Sequence, residues 1–218
     1  MVFCTKMSNL GLYGGPSDRE FAILWAIGLC NLAFGQDLDG CTATVGKLAE
    51  LSEAYPGDRA VMLELAKGLQ SLTHDADAEQ CLDVIEQLNG IYNEFHDVDF
   101  ASQIEGALVN LALAQTTEEA IRDTLSQSEV IQKTYLNHAD IQLLYAMTWF
   151  NLTLVQKEDD IPATVSEIIT YLEMHTDIIP DFIEELDLYL SEHPEHVQRY
   201  HLLLKLKKTA CQDQRLLV

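Results

Sequence analysis

Apolar side chains return along this chain in two rhythms, a short one of three to four residues and a slow one near forty. Leu32, Leu72, Leu111 and Leu152 stand 40, 39 and 41 residues apart. Three, seven and eleven residues before these anchors lie Leu29, Trp25 and Phe21, then Leu69, Leu65 and Val61, then Leu108, Ile104 and Phe100, then Trp149, Tyr145 and Ile141. Those offsets share one helical face, so each block opens with an amphipathic helix. Four residues before the anchors stand Gly28, Gly68, Ala107 and Thr148. Small residues inside an apolar stripe let a neighbouring helix come close, which accounts for mid-helix glycines that otherwise cost about 1 kcal/mol relative to alanine.

A polar break follows each anchor ("GQDLDG", "HDADAE", "QTTEEA", "QKEDD"), and a second helical pattern begins. Its apolar columns include Cys41, Cys81, Ile121 and Ile161, then Val45, Ile85, Leu125 and Val165. Leu51, Ile91, Ile131 and Tyr171 form the next column, and Tyr55, Phe95, Tyr135 and His175 the last. The turns that close the blocks are rich in Pro, Gly, Asn and Asp, as helix ends require. Four blocks, 17–57, 58–97, 98–137 and 138–177, are each predicted to fold as helix–turn–helix–turn, and strand-type alternation is absent. The expected class is all-α.

Residues 178–218 leave the pattern. "PDFIEELDLYLSEH" predicts a shorter acidic helix, and "PEHVQRYHLLLKLKKTACQDQ" a final one beginning at Pro194. A terminal repeat lacks a neighbour on one side, so this pair is expected to cap the array. Residues 1–16, with Gly14, Gly15 and Pro16 at their end, read as a loose leader.

The stretch from "NLAFGQ" to "LAELSEAYPGD" resembles a tetratricopeptide repeat: Asn31-Leu32-Ala33 matches the core of its first helix, and Leu48, Leu51 and Tyr55-Pro56 match the second. Similar matches run through residues 17–177. The period near 40 exceeds the 34 of that family, and the closing proline survives only as Pro56. The resemblance implies an α-α superhelix, a right-handed solenoid of about four helical hairpins whose first helices line a concave groove. A solenoid of the HEAT or armadillo kind is the alternative plan.

Composition narrows the function. No apolar run is long enough to span a bilayer, no export signal is evident, and five scattered cysteines make no disulfide framework. A cytoplasmic protein is expected. The formal net charge is −22; residues 1–198 hold 34 acids against 8 Lys and Arg, while the last twenty residues are basic. Such a body repels phosphate and anionic lipid, so neither direct nucleic-acid binding nor membrane binding is expected.

Candidate chemistry is sparse. His193, His196 and His201 stand near Glu192 and Glu195, but without an HExxH pattern or a cysteine partner they read as helix-end polar residues. Cys41 and Cys81 share a column later filled by isoleucine, which marks a small buried hydrophobe rather than a nucleophile. Cys30 sits in an acidic setting with no evident base. Gly-rich phosphate loops are missing, and "DLDG" and "HDADAE" run straight into helix, as N-caps do and calcium loops do not. "NLT" at 151–153 is part of the repeat rather than a glycosylation site. No catalytic residue, cofactor or metal ligand is therefore assigned, and an enzyme is not expected.

One feature varies between blocks: a second stripe on the first helices, at offsets −9, −5, −2 and +2 from the anchors. Its members include Ile27 and Phe34, then Lys67, Gln70 and His74, then Val109 and Leu113, and finally Met147, Phe150 and Leu154. Repeat cores keep their character because every interface is alike, so a variable apolar stripe fits an asymmetric ligand. It also fits a first helix that is longer than usual and simply buried on two sides, for example against the leader, and packing of that kind is the commoner case. As a groove it would bind a protein or peptide partner, with Phe34, Leu113, Met147 and Phe150 as anchors and Lys67 and His74 as polar contacts. The function expected is thus a protein-binding adaptor or regulatory scaffold, with homo-oligomerisation through the terminal repeats allowed. The alternative is an acidic inhibitor or nucleic-acid mimic that blocks a basic surface.

Overall fold

The computed structural model describes residues 18–205, and among them there are nine α-helices, a short helical stretch at 201–205 and no strand. They are α1 (Asp18–Ala33), α2 (Leu38–Ala54), α3 (Arg59–Leu72), α4 (Ala78–Phe95), α5 (Val98–Ala114), α6 (Glu118–Thr134), α7 (Ala139–Val155), α8 (Ile161–Met174) and α9 (Ile179–Glu192). Blocks 17–57, 58–97, 98–137 and 138–177 hold one helix pair each, joined by loops of three to five residues. The leader of residues 1–16 and the basic tail beyond residue 205 lie outside the described residues.

Local chemistry explains the boundaries. The polar breaks supply N-caps: Asp37 accepts the Gly40 amide at 2.9 Å, and Thr117 accepts that of Ala120 at 3.3 Å. Asp77 and Gln80 form a reciprocal capping box at the start of α4. The acidic clusters "DLDG" and "HDADAE" are therefore helix starts. The "YPGD" turn holds Gly57 at φ 72°, and His96 takes φ 51° where α4 ends.

The chain divides after Gly68 into two compact units. In the first, α1 and α2 form a hairpin. The N-terminal part of α3 lies against α2: a Cβ on Gly68 would stand 2.8 Å from Leu48 Cδ1 and 3.3 Å from Val45 Cγ2. In the second unit α5 packs on α4, α6 and α7, and α7 packs on α6, α8 and α9. A first helix here touches its own second helix, the preceding second helix and the next first helix, which is the neighbour pattern of a helical repeat.

The predicted columns are buried in large part, except that the two later columns of the second helices, from Leu51 and from Tyr55, are half-buried apart from Ile91. Val61, Phe100 and Ile141 are core residues, as are Leu29, Leu69 and Leu108, and the columns that begin with Cys41 and Val45 are buried in all four blocks. α1 departs from this. Trp25 and Leu32, expected in the core, are 54% and 50% exposed, whereas Ile104 and Tyr145, and Leu111 and Leu152, are buried. A Cβ on Gly28 would meet nothing within 4 Å. The reason is geometric, for this face of a first helix is buried by the preceding second helix, and no described element occupies that place over α1.

The C-terminal elements also differ from expectation. Pro194 starts a 3₁₀ turn (Pro194–His196) rather than the last helix; helical backbone resumes at residues 201–205. Phe182, Ile183, Leu186, Tyr200 and Leu203 bury one side of α7 and α8. The Tyr200 hydroxyl shares a 2.8 Å hydrogen bond with Thr153 Oγ1.

Candidate functional site

The variable stripe is split by the fold. On α1, Ile27 and Phe34 are exposed, Phe34 by 62%. Together with Leu24, Trp25 and Leu32 they make an uncharged apolar surface over half the circumference of this helix. Five large apolar side chains within eleven residues, 24–34, leave water only if something binds them.

Lys67 is engaged by its own helix. Its ammonium donates to Glu64 Oε1 at 2.7 Å, and that carboxylate is nearly buried beside Cys30. Gln70 fills the space over Gly106, where a Cβ would lie 3.1 Å from its Nε2. Val109 is half-buried, and its carbonyl accepts Asn151 Nδ2 at 3.0 Å. His74 and Leu113 are exposed where α3 and α5 end.

Block four corrects the expectation. Phe150 is 2% exposed and cannot anchor a ligand from a groove. Its ring lies 5.0 Å from Tyr200, 5.2 Å from Tyr189 and 6.4 Å from Phe182, centroid to centroid. Met147 and Leu154 are half-buried against the same cluster. Here the stripe was apolar because the C-terminal helices cover it.

Two features escaped the sequence reading. The first is a cleft of about 310 Å³ on the second helices, with Ile85 and Tyr92 of α4, Ile104 and Leu108 of α5, and Val130 and Tyr135 around it. Tyr92 and Tyr135 share a 2.9 Å hydroxyl–hydroxyl hydrogen bond there, and burial pushes the Tyr135 hydroxyl up to about 12, with Tyr92 adding to the shift. The second is a buried acid. Glu105 is 0% exposed, accepts a hydrogen bond from Ser128, and leaves its Oε2 without a hydrogen-bond partner. Burial pushes its carboxyl up to about 8, against a small opposing effect of Ser128. A column comparison would have found it: the equivalents of Glu105 are Ala26, Ala66 and Ala146, and those of Ser128 are Leu48, Leu88 and Ile168.

Cys41 and Cys81 are buried as their column implied, and Cys30, a member of the variable stripe, is buried as well. Burial, reinforced by Glu64, raises the Cys30 thiol to about 12, and burial raises Cys81 to about 11. Thiols held protonated in this way are weak nucleophiles. At the end of α9, His193, Glu195 and His196 bring their ligand atoms within 4.8 Å of one another. Among the described residues no helix is long and apolar enough to cross a membrane. No protein family, no curated protein and no solved structure matches this chain.

Proposed function

We propose that the chain is a non-enzymatic protein-binding module of stacked helical hairpins, tetratricopeptide-like in plan and wound as a right-handed superhelix. Its partner surface is the open face of α1, and the occupant is an amphipathic helix of another protein. The observation that carries this reading is the exposure of Trp25 and Leu32 in columns whose later members Leu65, Ile104 and Tyr145, and Leu111 and Leu152, are buried. Gly28 keeps that face flat enough for close helix approach, as Gly68 does against Leu48 and Val45. The net charge of −22 favours basic flanks on the incoming helix, whose apolar stripe would supply the contact.

The test is affinity capture from a native extract at low salt and at about 0.5 M salt, where exposed charges are screened over a few ångströms. Wild-type complexes are expected to survive the higher salt, and the double variant Trp25→Ser/Leu32→Ser to lose them while its far-ultraviolet circular dichroism stays unchanged. Capture that the variant leaves intact refutes the α1 surface. Complexes that dissolve in salt while ignoring the variant favour the acidic-mimic reading. A wild-type dimer that becomes a monomer in the variant, measured by light scattering, makes a second copy the occupant.

A further inference from the structure

The turn that closes α9 gathers two imidazoles and a carboxylate within four residues, 193–196. His193 caps α9, its amide donating to the Tyr189 carbonyl at 3.0 Å. Pro194 then fixes the backbone of a 3₁₀ turn, in which the His196 amide donates to the His193 carbonyl at 3.0 Å. Residues three apart eclipse one another on such a turn. The two imidazoles accordingly lie nearly parallel, 18° between planes and 5.6 Å between centroids. Glu195 reaches toward both, with Oε1 3.7 Å from His193 Nδ1 and 3.9 Å from His196 Nε2.

These separations are close to those of a metal's ligand shell. Bonds of about 2.1 Å in tetrahedral geometry put ligand atoms about 3.4 Å apart. For the two Glu195 distances the remaining half ångström is within the torsional freedom of that side chain, which is 64% exposed, and the two imidazole nitrogens, within 4.8 Å of each other, close by small ring rotations. A further contact orients one ligand. His196 Nδ1 is 2.8 Å from the Tyr189 hydroxyl. When Nδ1 carries the proton and donates to Tyr189, the Nε2 lone pair faces Glu195. A ligating histidine is held in the same way by an outer partner on its other nitrogen.

We propose that His193, Glu195 and His196 form a surface site for a divalent first-row transition metal of the Zn²⁺ class, with at least one coordination position open. Two imidazole nitrogens and one carboxylate oxygen suit Zn²⁺, Co²⁺ or Ni²⁺ and are poor for Mg²⁺, which prefers oxygen ligands alone. The acidic body raises the local cation concentration. Bound metal would tie the end of α9 to the turn that leads into Tyr200 and Leu203, which are both buried. The open position would take water or a ligand from another molecule.

The experiment is calorimetric titration of the full chain with Zn²⁺, with the visible spectrum of the Co²⁺-loaded protein as a report on the ligand set. One saturable site is expected, insensitive to excess Mg²⁺. His193→Ala and His196→Ala are each expected to weaken it at least about tenfold, while His201→Ala leaves it unchanged. Tyr189→Phe should weaken binding about tenfold yet preserve the Co²⁺ spectrum, because all three ligands remain. Circular dichroism checks that each variant stays helical. No saturable binding below about 1 mM Zn²⁺ overturns the site. So does undiminished affinity in the His193→Ala/His196→Ala variant, or a loss confined to His201→Ala.

Discussion

Single positions depart from the repeat for identifiable physical reasons, and Glu105 is the clearest. Three blocks hold alanine where it stands, and three hold leucine or isoleucine where Ser128 stands. The polar pair thus replaces an alanine–leucine contact inside the core. With its carboxyl raised from 4.5 to about 8, the folded chain keeps a proton that the unfolded chain releases. The contribution of this carboxyl to stability is then greatest below about pH 4.5, falls by about 1.4 kcal/mol per pH unit at most up to about pH 8, and levels off above. Tyr145 and Tyr171 face the same carboxyl from α7 and α8, and burial raises both hydroxyls, so neither titrates in that window. Glu105→Ala/Ser128→Leu restores the repeat. It should remove this slope and raise urea stability at pH 7 by about 1–3 kcal/mol, since it deletes an orphaned buried oxygen. The two glycines give the complementary contrast. Gly68→Ala forces a Cβ to within 2.8 Å of Leu48 and should destabilise by about 1–3 kcal/mol. Gly28→Ala meets nothing and should stabilise by up to about 1 kcal/mol through helix propensity. Paired urea melts read both, and equal effects would refute the assigned difference in packing.

At the scale of the helices, caps and cross-helix polar contacts set how the hairpins join. Asn110 donates to Thr73 at 2.8 Å and Asn151 to the Val109 carbonyl at 3.0 Å, so the Asn of the "NL" pair ties one first helix to its neighbour. Asn31 stands in the same column but is exposed, as the rest of the α1 face is. α7 illustrates the opposite case: its variable stripe is covered by α9 and by the segment around Tyr200. Phe150→Ala should therefore act on stability, costing about 3–5 kcal/mol in a urea melt, and leave partner capture unchanged after correction for the folded fraction. A variant of full stability that loses capture would return Phe150 to the binding surface.

For the molecule as a whole, charge and exposed apolar area pull in different directions. The charge of −22 keeps copies apart and repels polyanions, while α1 offers the kind of apolar face that normally finds a partner. Salt separates the two contributions in the capture experiment, because screening weakens the first and leaves the second. The helices, their pairing into hairpins and the caps at Asp37 and Asp77 were legible in the chain, because a 3.6-residue periodicity and a side-chain cap are local properties of sequence. Burial of a particular column was not. The same Trp25–Gly28–Leu32 spacing serves as core or as open surface according to whether another helix lies over it, and periodicity is blind to neighbours. Phe34 and Leu154 occupy equivalent positions in their blocks, yet one faces water and the other packs against an aromatic core. His193 and His196 became candidate ligands only once a 3₁₀ turn set their rings parallel. Sequence by itself determined which segments are helical and which face of each is apolar, since those depend on residues a few positions apart. Tertiary structure alone decided which of those faces are covered, because coverage depends on what the rest of the chain brings against them.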